Sequence, residues 1–449
     1  MNADSNTQAV TQTASEQLFE RARKVLPGGI SRNTVFRLPH PIYAAHGTGC
    51  RVTDIEGVER IDFSNNVASL IHGHAHPAIV AAVTEQLQKG SAFAVATEAE
   101  VAYAEFLCNR VPGFEKIRFI NSGTEAVMTA IKAARAFTDK PKIAKVEGAY
   151  HGAYDYVEVS QYPKPENWGD AASPTSVPLV KGTPRGTLDD VVILPFNDPQ
   201  RAVEILDKQA GQIACVVVDP LPHRVGFIWA ADEFVQALFD WTRRNDALLV
   251  FDEVITFRTY YAGAQQRYPI TPDLTALGKM IGGGFPVGAV AGRDDVMSVM
   301  DPTQTDLRYP HAGTFSANPI SLVAGHTAMQ LFDKAAVDEL NALGDYARQK
   351  ISEAIGAADF AACVTGDGSL LRIHLKPDPP TCFRTCYTPP EESKKLAALL
   401  TFLLNHGVSM VNTCSAVLST VMTKAEIDHL ADVVRAGLQE LSSSANSVS

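Results

Sequence analysis

No apolar run in the 449 residues approaches the roughly 18 that a membrane-crossing helix needs, so the sequence offers no candidate span. Dense Lys/Arg runs are also missing and the formal net charge is −11, which argues against a nucleic-acid footprint. Cysteine is sparse. There are seven, an odd number, and only Cys382 and Cys386 lie close together, with no second pair to complete a zinc site. Free thiols in a reducing compartment are therefore expected, with the cytoplasm as the default. Cys215, inside the run Ala214–Val218, reads as a small core residue. The first residues have no apolar h-region and no Arg before Arg21, so neither a secretory signal nor a mitochondrial presequence is expected there. Internal repeats and low-complexity stretches are absent.

What is present is an ordinary globular composition, 46% hydrophobic and 20% charged, in a chain long enough for two or three structural units. Short β-prone runs come first, at Pro41–Ala45, Arg51–Asp54 and Arg60–Phe63, followed by a helical period over Pro77–Gln88. The middle alternates. Strands are expected at Lys116–Ile120, Lys142–Val146, Ala214–Val218, Ala247–Phe251, Leu274–Leu277 and Val287–Ala291, with helices over Thr124–Phe137 and Ala231–Arg244. Ala-Cys-Val-Val-Val at 214–218 is apolar without alternation, as a strand covered on both faces should be. Such repetition predicts an α/β fold with a mainly parallel sheet between helices. Gln161–Asp198, rich in Pro, Gly, Ser and Thr, reads as one long loop, either a surface insertion or a flap over a site. Beyond Ile320, helical patterns at 324–333, 336–356, 391–407 and 424–441 enclose short strands at Leu370–Leu375 and Val417–Val421, a separate α+β unit.

Ligands of open α/β sheets collect where strands end, and three such junctions carry polar residues. Asn121-Ser122-Gly123-Thr124-Glu125 offers a glycine, hydroxyls and a helix N-terminus to an anion such as phosphate, although any helix cap uses the same residues. Asp252 ends a very apolar run, where an unpaired carboxylate is costly; a protonated pyridine nitrogen would be a suitable partner, a helix cap the plainer role. Lys279 follows an apolar strand and precedes Gly282-Gly283-Gly284. Burial would lower its pKa and free the amine to form an imine, while the glycines would leave room for a ring. Together the three are the equipment of a pyridoxal 5'-phosphate (PLP) site.

The chain resembles the class III aminotransferases of the fold-type I PLP superfamily, nearest to glutamate-1-semialdehyde aminomutases and β-amino-acid aminotransferases. The resemblance spans roughly Leu18 to Leu441. It rests on Val25-Leu-Pro-Gly-Gly-Ile-Ser31, Gly73-His-Ala-His-Pro77, Asn121-Ser-Gly-Thr-Glu-Ala126, Gly148-Ala-Tyr-His-Gly152, Phe251-Asp-Glu-Val254, Leu277-Gly-Lys-Met-Ile-Gly-Gly-Gly284 and Gly313-Thr-Phe-Ser-Ala-Asn-Pro319. The polar, Ser/Thr-rich ends read as disordered tails at 1–16 and 442–449, and the resemblance implies an N-terminal segment at 17–72, a large PLP-binding domain at 73–319 and a small α+β domain at 320–441. The small domain would be built from both ends of the chain.

By this resemblance Ser122, Gly123 and Thr124 hold the phosphate, Tyr150 stacks on the pyridine ring with His151 beside it, and Val254 packs on the other face. Asp252 pairs with the ring nitrogen; Lys279 forms the imine and shuttles protons. Thr314 reaches the cofactor of a neighbouring subunit, which implies a homodimer. Arg32, with Arg37 as rival, would take a substrate carboxylate. His72, His74 and His76 alternate as strand-borne metal ligands could, but the family's Gly-His and His-Pro pattern explains two of them and no metal is expected. The family's glutamate-using members often carry an arginine in the C-terminal loop. Met410-Val-Asn-Thr-Cys-Ser-Ala416 has none, and Arg224 is the substitute on offer. The expected activity is transamination between a carboxylate-bearing amine, such as a β-amino acid, and a 2-oxo acid. Intramolecular aminomutation is the alternative.

Overall fold

The computed structural model describes residues 12–446. Seven strands form the central sheet: β1 (Lys116–Ile120), β2 (Lys142–Val146), β3 (Val191–Leu194), β4 (Ile213–Val218), β5 (Leu248–Asp252), β6 (Leu274–Gly278) and β7 (Gly288–Gly292). Their order in space is β1-β7-β6-β5-β4-β2-β3. The pairs among β3, β2, β4, β5 and β6 are parallel, and β7 runs antiparallel to both β6 and β1. The continuous apolar runs have the expected cause. Cys215, Val217, Leu248 and Val250 pack on one face with the alanine-rich side of helix Gly123–Thr138. Val216, Val218, Leu249 and Phe251 pack on the other with Phe234, Leu238 and Trp241 of helix Asp232–Arg244.

Both ends of the chain contribute to a second, four-stranded sheet, in which Val408–Ser409 pairs in parallel with Glu59–Asp62. A three-stranded sheet of Cys363–Thr365, Leu370–His374 and Ser415–Val417 completes the α+β part, packed under helices Lys334–Ala357 and Lys424–Asn446. Among the described residues no helix is long and apolar enough to cross a membrane.

Several expectations need correction. The segment Gln161–Asp198 is not one loop: it contains helix Arg185–Asp189 and the edge strand β3, and Arg384 pins its first part by donating to the carbonyls of Trp168, Gly169 and Asp170. Both stretches expected as tails contain helical residues. Helix Ala14–Arg23 starts inside the first, capped by Thr13 with a reciprocal bond from Glu16, and helix Lys424–Asn446 runs into the second. Residues 1–11 and 447–449 lie outside the described residues. Strand 417–421 is instead Ser415–Val417, because the chain turns away at Thr420, whose N–H reaches the Ile71 carbonyl. Helices Glu98–Arg110 and Pro199–Asp207 are additional.

Candidate active site

The carboxyl ends of β1, β4, β5 and β6 converge on a cavity of about 160 Å³. Ser122, Gly123 and Thr124 form its first wall. Ser122 caps the helix by accepting from Glu125 N–H at 3.1 Å, and Glu125 returns a bond to Asn121 N–H at 2.8 Å. The N–H groups of Gly123 and Thr124, first in the helix, have no intrahelical carbonyl to meet. Space is tight beneath them. A Cβ on Gly288 of β7 would lie 2.1 Å from the Ser122 carbonyl oxygen, and one on Gly123 would lie 2.7 Å from a Val254 methyl. Both positions need glycine for close approach rather than flexibility.

Asp252 is buried at the end of β5. One carboxylate oxygen accepts from Val254 N–H at 3.1 Å, and the other lies 2.7 Å from His151 Nδ1. The carboxylate therefore fixes the proton on Nδ1. This leaves His151 Nε2 buried and, among the described residues, without a hydrogen-bond partner. Burial lowers the pKa of His151 despite the adjacent carboxylate, which favours the neutral ring.

Lys279 follows β6 in a single 3₁₀ turn, Lys279–Gly282, with a left-handed φ of 50°. Residues bearing a Cβ seldom adopt this conformation, and it is held here in the lining of the cavity. The Lys279 amine has no hydrogen-bond or ion-pair partner among the described residues. Burial brings its pKa down to about 8, opposed by the charges of Asp252 and Asp219. The unfolded chain, near 10.5, binds more protons between pH 8 and 10.5, so this group adds stability as pH rises through that window and costs it below. Lys279→Met apoprotein should accordingly be more stable than wild-type apoprotein at pH 7, by up to about 3 kcal/mol, with the gain shrinking above pH 8. Unfolding curves at pH 7 and 10 measure it; a variant less stable at pH 7 would contradict it.

Eight of the residues singled out from sequence thus line one cavity: Ser122, Gly123, Thr124, Tyr150, His151, Asp252, Val254 and Lys279. Two do not. Thr314 lies in a different cleft with Phe93, Arg118 and Phe315. Arg32 is exposed and donates to Asn66 Oδ1 at 2.9 Å, lining a third cavity of about 280 Å³ together with Arg37. Arg37 is half-buried, and burial and the charge of Arg60 lower its pKa. The triple glycine has another role than room for a ring: a Cβ on Gly283 would lie 2.4 Å from the Ala324 carbonyl oxygen, so it seats the lysine turn against helix Pro319–Leu331. His72, His74 and His76 are not on a strand; His72 bonds Thr420 and the Ala328 carbonyl, and His74 bonds Asp62.

Asp219 was not foreseen as a site residue. It lines the cavity just beyond β4, accepts from Leu221 N–H at 3.0 Å, and is pushed well above the usual carboxylate range by burial and by Asp252. The signal was available, since Asp219 ends an apolar run just as Asp252 does.

PLP fits what is present: an unpaired amine of lowered pKa, a buried and oriented carboxylate, an unpaired helix N-terminus and flanking Tyr150 and Val254. The family model for class III aminotransferases matches residues 35–438. The glutamate-1-semialdehyde 2,1-aminomutase of Methanothermobacter thermautotrophicus is 41% identical over 362 residues, 80% of this chain and 83% of that protein. An ω-transaminase structure from Sphaerobacter thermophilus aligns with a TM-score of 0.93 at 46% identity, over 96% of this chain and 98% of that one. A β-phenylalanine aminotransferase from Variovorax paradoxus aligns with a TM-score of 0.83 at 32% identity, over 94% and 93%. The chain belongs to the class III aminotransferases and is a PLP-dependent enzyme.

Proposed function

We propose that the enzyme is a transaminase that moves an amino group between a carboxylate-bearing amine, a β-amino acid in particular, and a 2-oxo acid in ping-pong fashion. The observation that carries this reading is Lys279, a partnerless amine of pKa about 8 in the cavity that Asp252 and Ser122–Thr124 also line. When bound, PLP supplies an aldehyde for amines and a cationic ring that withdraws electrons from the carbon next to the nitrogen. Ser122, Gly123 and Thr124 hold the phosphate with the helix N-terminus. Asp252, oriented by His151 and Val254 N–H, would pair with the ring nitrogen, and Tyr150 and Val254 would pack against the ring. Lys279 would hold the cofactor, and its amine would take and return the proton at the substrate carbon. An ordinary lysine would be almost wholly charged near neutrality, and this one keeps a working neutral fraction. Thr314 reaches the phosphate from a second copy of the chain, so the working unit is a homodimer.

The resemblance to β-phenylalanine aminotransferase supports the β-amino-acid donor. The resemblance to glutamate-1-semialdehyde aminomutase supports a second reading, amino transfer within one molecule. The experiment follows product formation from a single amino substrate with and without a separate 2-oxo acid. Turnover that needs no 2-oxo acid would replace the first reading with the second.

Arg32 is the proposed carboxylate partner. Arg32 is exposed in the free chain and would be desolvated only by the substrate it binds; truncating a pair desolvated in that way costs roughly 2–5 kcal/mol, so Arg32→Ala should lower kcat/KM for a β-amino acid by about 30-fold or more. The decarboxylated amine should lose far less, and Arg32→Lys should recover only part, because an ammonium cannot make the planar double contact. Equal losses for both donors would assign Arg32 a structural role. A selective loss on Arg37→Ala would move the assignment to Arg37.

A further inference from the structure

Asp219 stands one residue past β4, much as Asp252 ends β5. The two strands are parallel neighbours in the register Val218–Phe251, so the next residues along, Asp219 and Asp252, lie side by side, about 5 Å apart at the backbone. Both line the Lys279 cavity, and each is 5% exposed. Two carboxyl groups this close do not both keep a charge in a buried site. Hydrogen bonds decide which of them takes the proton. Asp252 accepts two, from Val254 N–H at 3.1 Å and from His151 Nδ1 at 2.7 Å. Asp219 accepts one, from Leu221 N–H at 3.0 Å. Its second oxygen meets no donor among the described residues, yet it is not sealed in protein, so it opens on the cavity. The groups around it leave this outcome in place. Glu253 is a further carboxyl group, held by the N–H groups of Ala264 and Gln265, and the Tyr268 hydroxyl donates to the Ala230 carbonyl. Lys279 is the cation that faces Asp219, and its ammonium would be given up on attaching the cofactor. Asp219 is thus a neutral acid whose O–H faces the cavity.

Strand order shows what that O–H reaches. The sheet runs β1-β7-β6-β5-β4, with the Ser122–Thr124 cradle beyond β1, Lys279 after β6, Asp252 on β5 and Asp219 on the far side. The groups of the PLP ring are arranged in the same way. Its phosphate arm lies on one side of the aldehyde-bearing carbon, its ring oxygen on the other, and its nitrogen opposite. With the phosphate at the cradle and the nitrogen at Asp252, the ring oxygen falls on the β4 side. Of the lining side chains, Asp219 and Ile255 have no part in the reading above, and of these two Asp219 is the polar one. We propose that Asp219 binds the cofactor as an undissociated acid, donating its O–H to the ring oxygen of PLP. The proposal rests on the cofactor placement above, not on which amine the enzyme uses. A donor at that oxygen holds negative charge there, and so lowers the basicity of the nitrogen that joins the cofactor to Lys279.

The test reconstitutes the apoprotein with PLP or with 3-deoxypyridoxal 5'-phosphate, which lacks the ring oxygen, for wild type and the Asp219→Asn and Asp219→Leu variants. Two readings need no substrate: the dissociation constant of each cofactor, and the pH at which the visible absorbance of the holoenzyme changes. An asparagine can keep both contacts, its carbonyl accepting from Leu221 N–H and its NH₂ donating to the ring oxygen. Asp219→Asn should therefore hold PLP within about threefold of wild type and move the absorbance change by less than about half a pH unit. Asp219→Leu should bind PLP about tenfold more weakly or worse, move the absorbance change to higher pH by about one unit or more, and no longer distinguish PLP from the deoxy compound. Asp219→Ala replaces the leucine variant if that one does not fold. An asparagine variant that behaves like the leucine one would show that Asp219 works as a carboxylate and would overturn the proposal. A leucine variant that binds both cofactors as wild type does would overturn it too. Borohydride label on a lysine other than Lys279 would overturn the cofactor placement and the proposal with it, whereas label on Lys279 with either of the preceding outcomes overturns the proposal alone.

Discussion

Lys279→Ala is expected to lower kcat/KM for amino transfer by at least about 10⁴-fold, about 5.5 kcal/mol of transition-state stabilisation. The size follows from two duties resting on one amine, attachment of the cofactor and proton transfer at the substrate carbon. No other lysine can take over. Lys145 is the other buried one, but its amine is bound to the Val159 carbonyl and does not line the cavity. Borohydride treatment of wild-type holoenzyme followed by peptide mapping should place the label on Lys279, and the variant should carry none. The Ser122–Thr124 cradle is untouched, so the variant should still retain PLP without a covalent link. Label on Lys145, or turnover near the wild-type rate, would end the assignment.

Asp252→Asn should slow amino transfer by about 10³-fold while leaving cofactor affinity within roughly tenfold, since the cradle is separate from the carboxylate. Charge is only part of the reason. Both Asp252 oxygens accept, one from Val254 N–H and one from His151. An asparagine has one accepting oxygen, so its NH₂ must face a donor or force the imidazole proton onto Nε2. That atom is buried without a partner, and an unsatisfied donor there costs about 1–3 kcal/mol. Removing the carboxylate also removes the main charge that raises the Lys279 pKa, so the rate of PLP uptake by the apoprotein should reach its plateau at lower pH than in wild type. Normal transamination by the variant would refute the role given to Asp252. An unmoved uptake profile would refute its coupling to Lys279.

Strands of the central sheet were the most legible part of the fold. Lys116–Ile120 and Lys142–Val146 coincide with the expected strands residue for residue, and β4 differs by one. The edge strand β3 escaped notice because four apolar residues, Val-Val-Ile-Leu, close a segment whose composition is otherwise that of a loop. Only the missing pairing partner, β2, makes it a strand. Helix Glu98–Arg110 escaped for a similar reason: it buries just Tyr103, Leu107 and Arg110 and shows little apolar contrast between its faces.

The chemistry-bearing residues could be named from sequence because each breaks a local rule. Asp252 ends an apolar strand, Lys279 follows one, and a Ser-Gly-Thr cluster opens a helix; such groups are costly unless something pairs with them. Which of them meet is a matter of strand order. β4, β5 and β6 are neighbours, so Asp219, Asp252 and Lys279 come together although they lie far apart in the chain. β1 reaches the same cavity only across β7. Because β7 runs antiparallel, its first residue, Gly288, sits between Ile120 and Gly278 at the end of the sheet where the other strands finish. Tertiary structure alone brought His151 to Asp252, set Arg224 between Tyr150 and Tyr162, and kept Arg32 and Thr314 out of the cavity. The reason is physical: periodicity reports which face a residue shows, whereas contact between distant residues depends on the order in which strands pair.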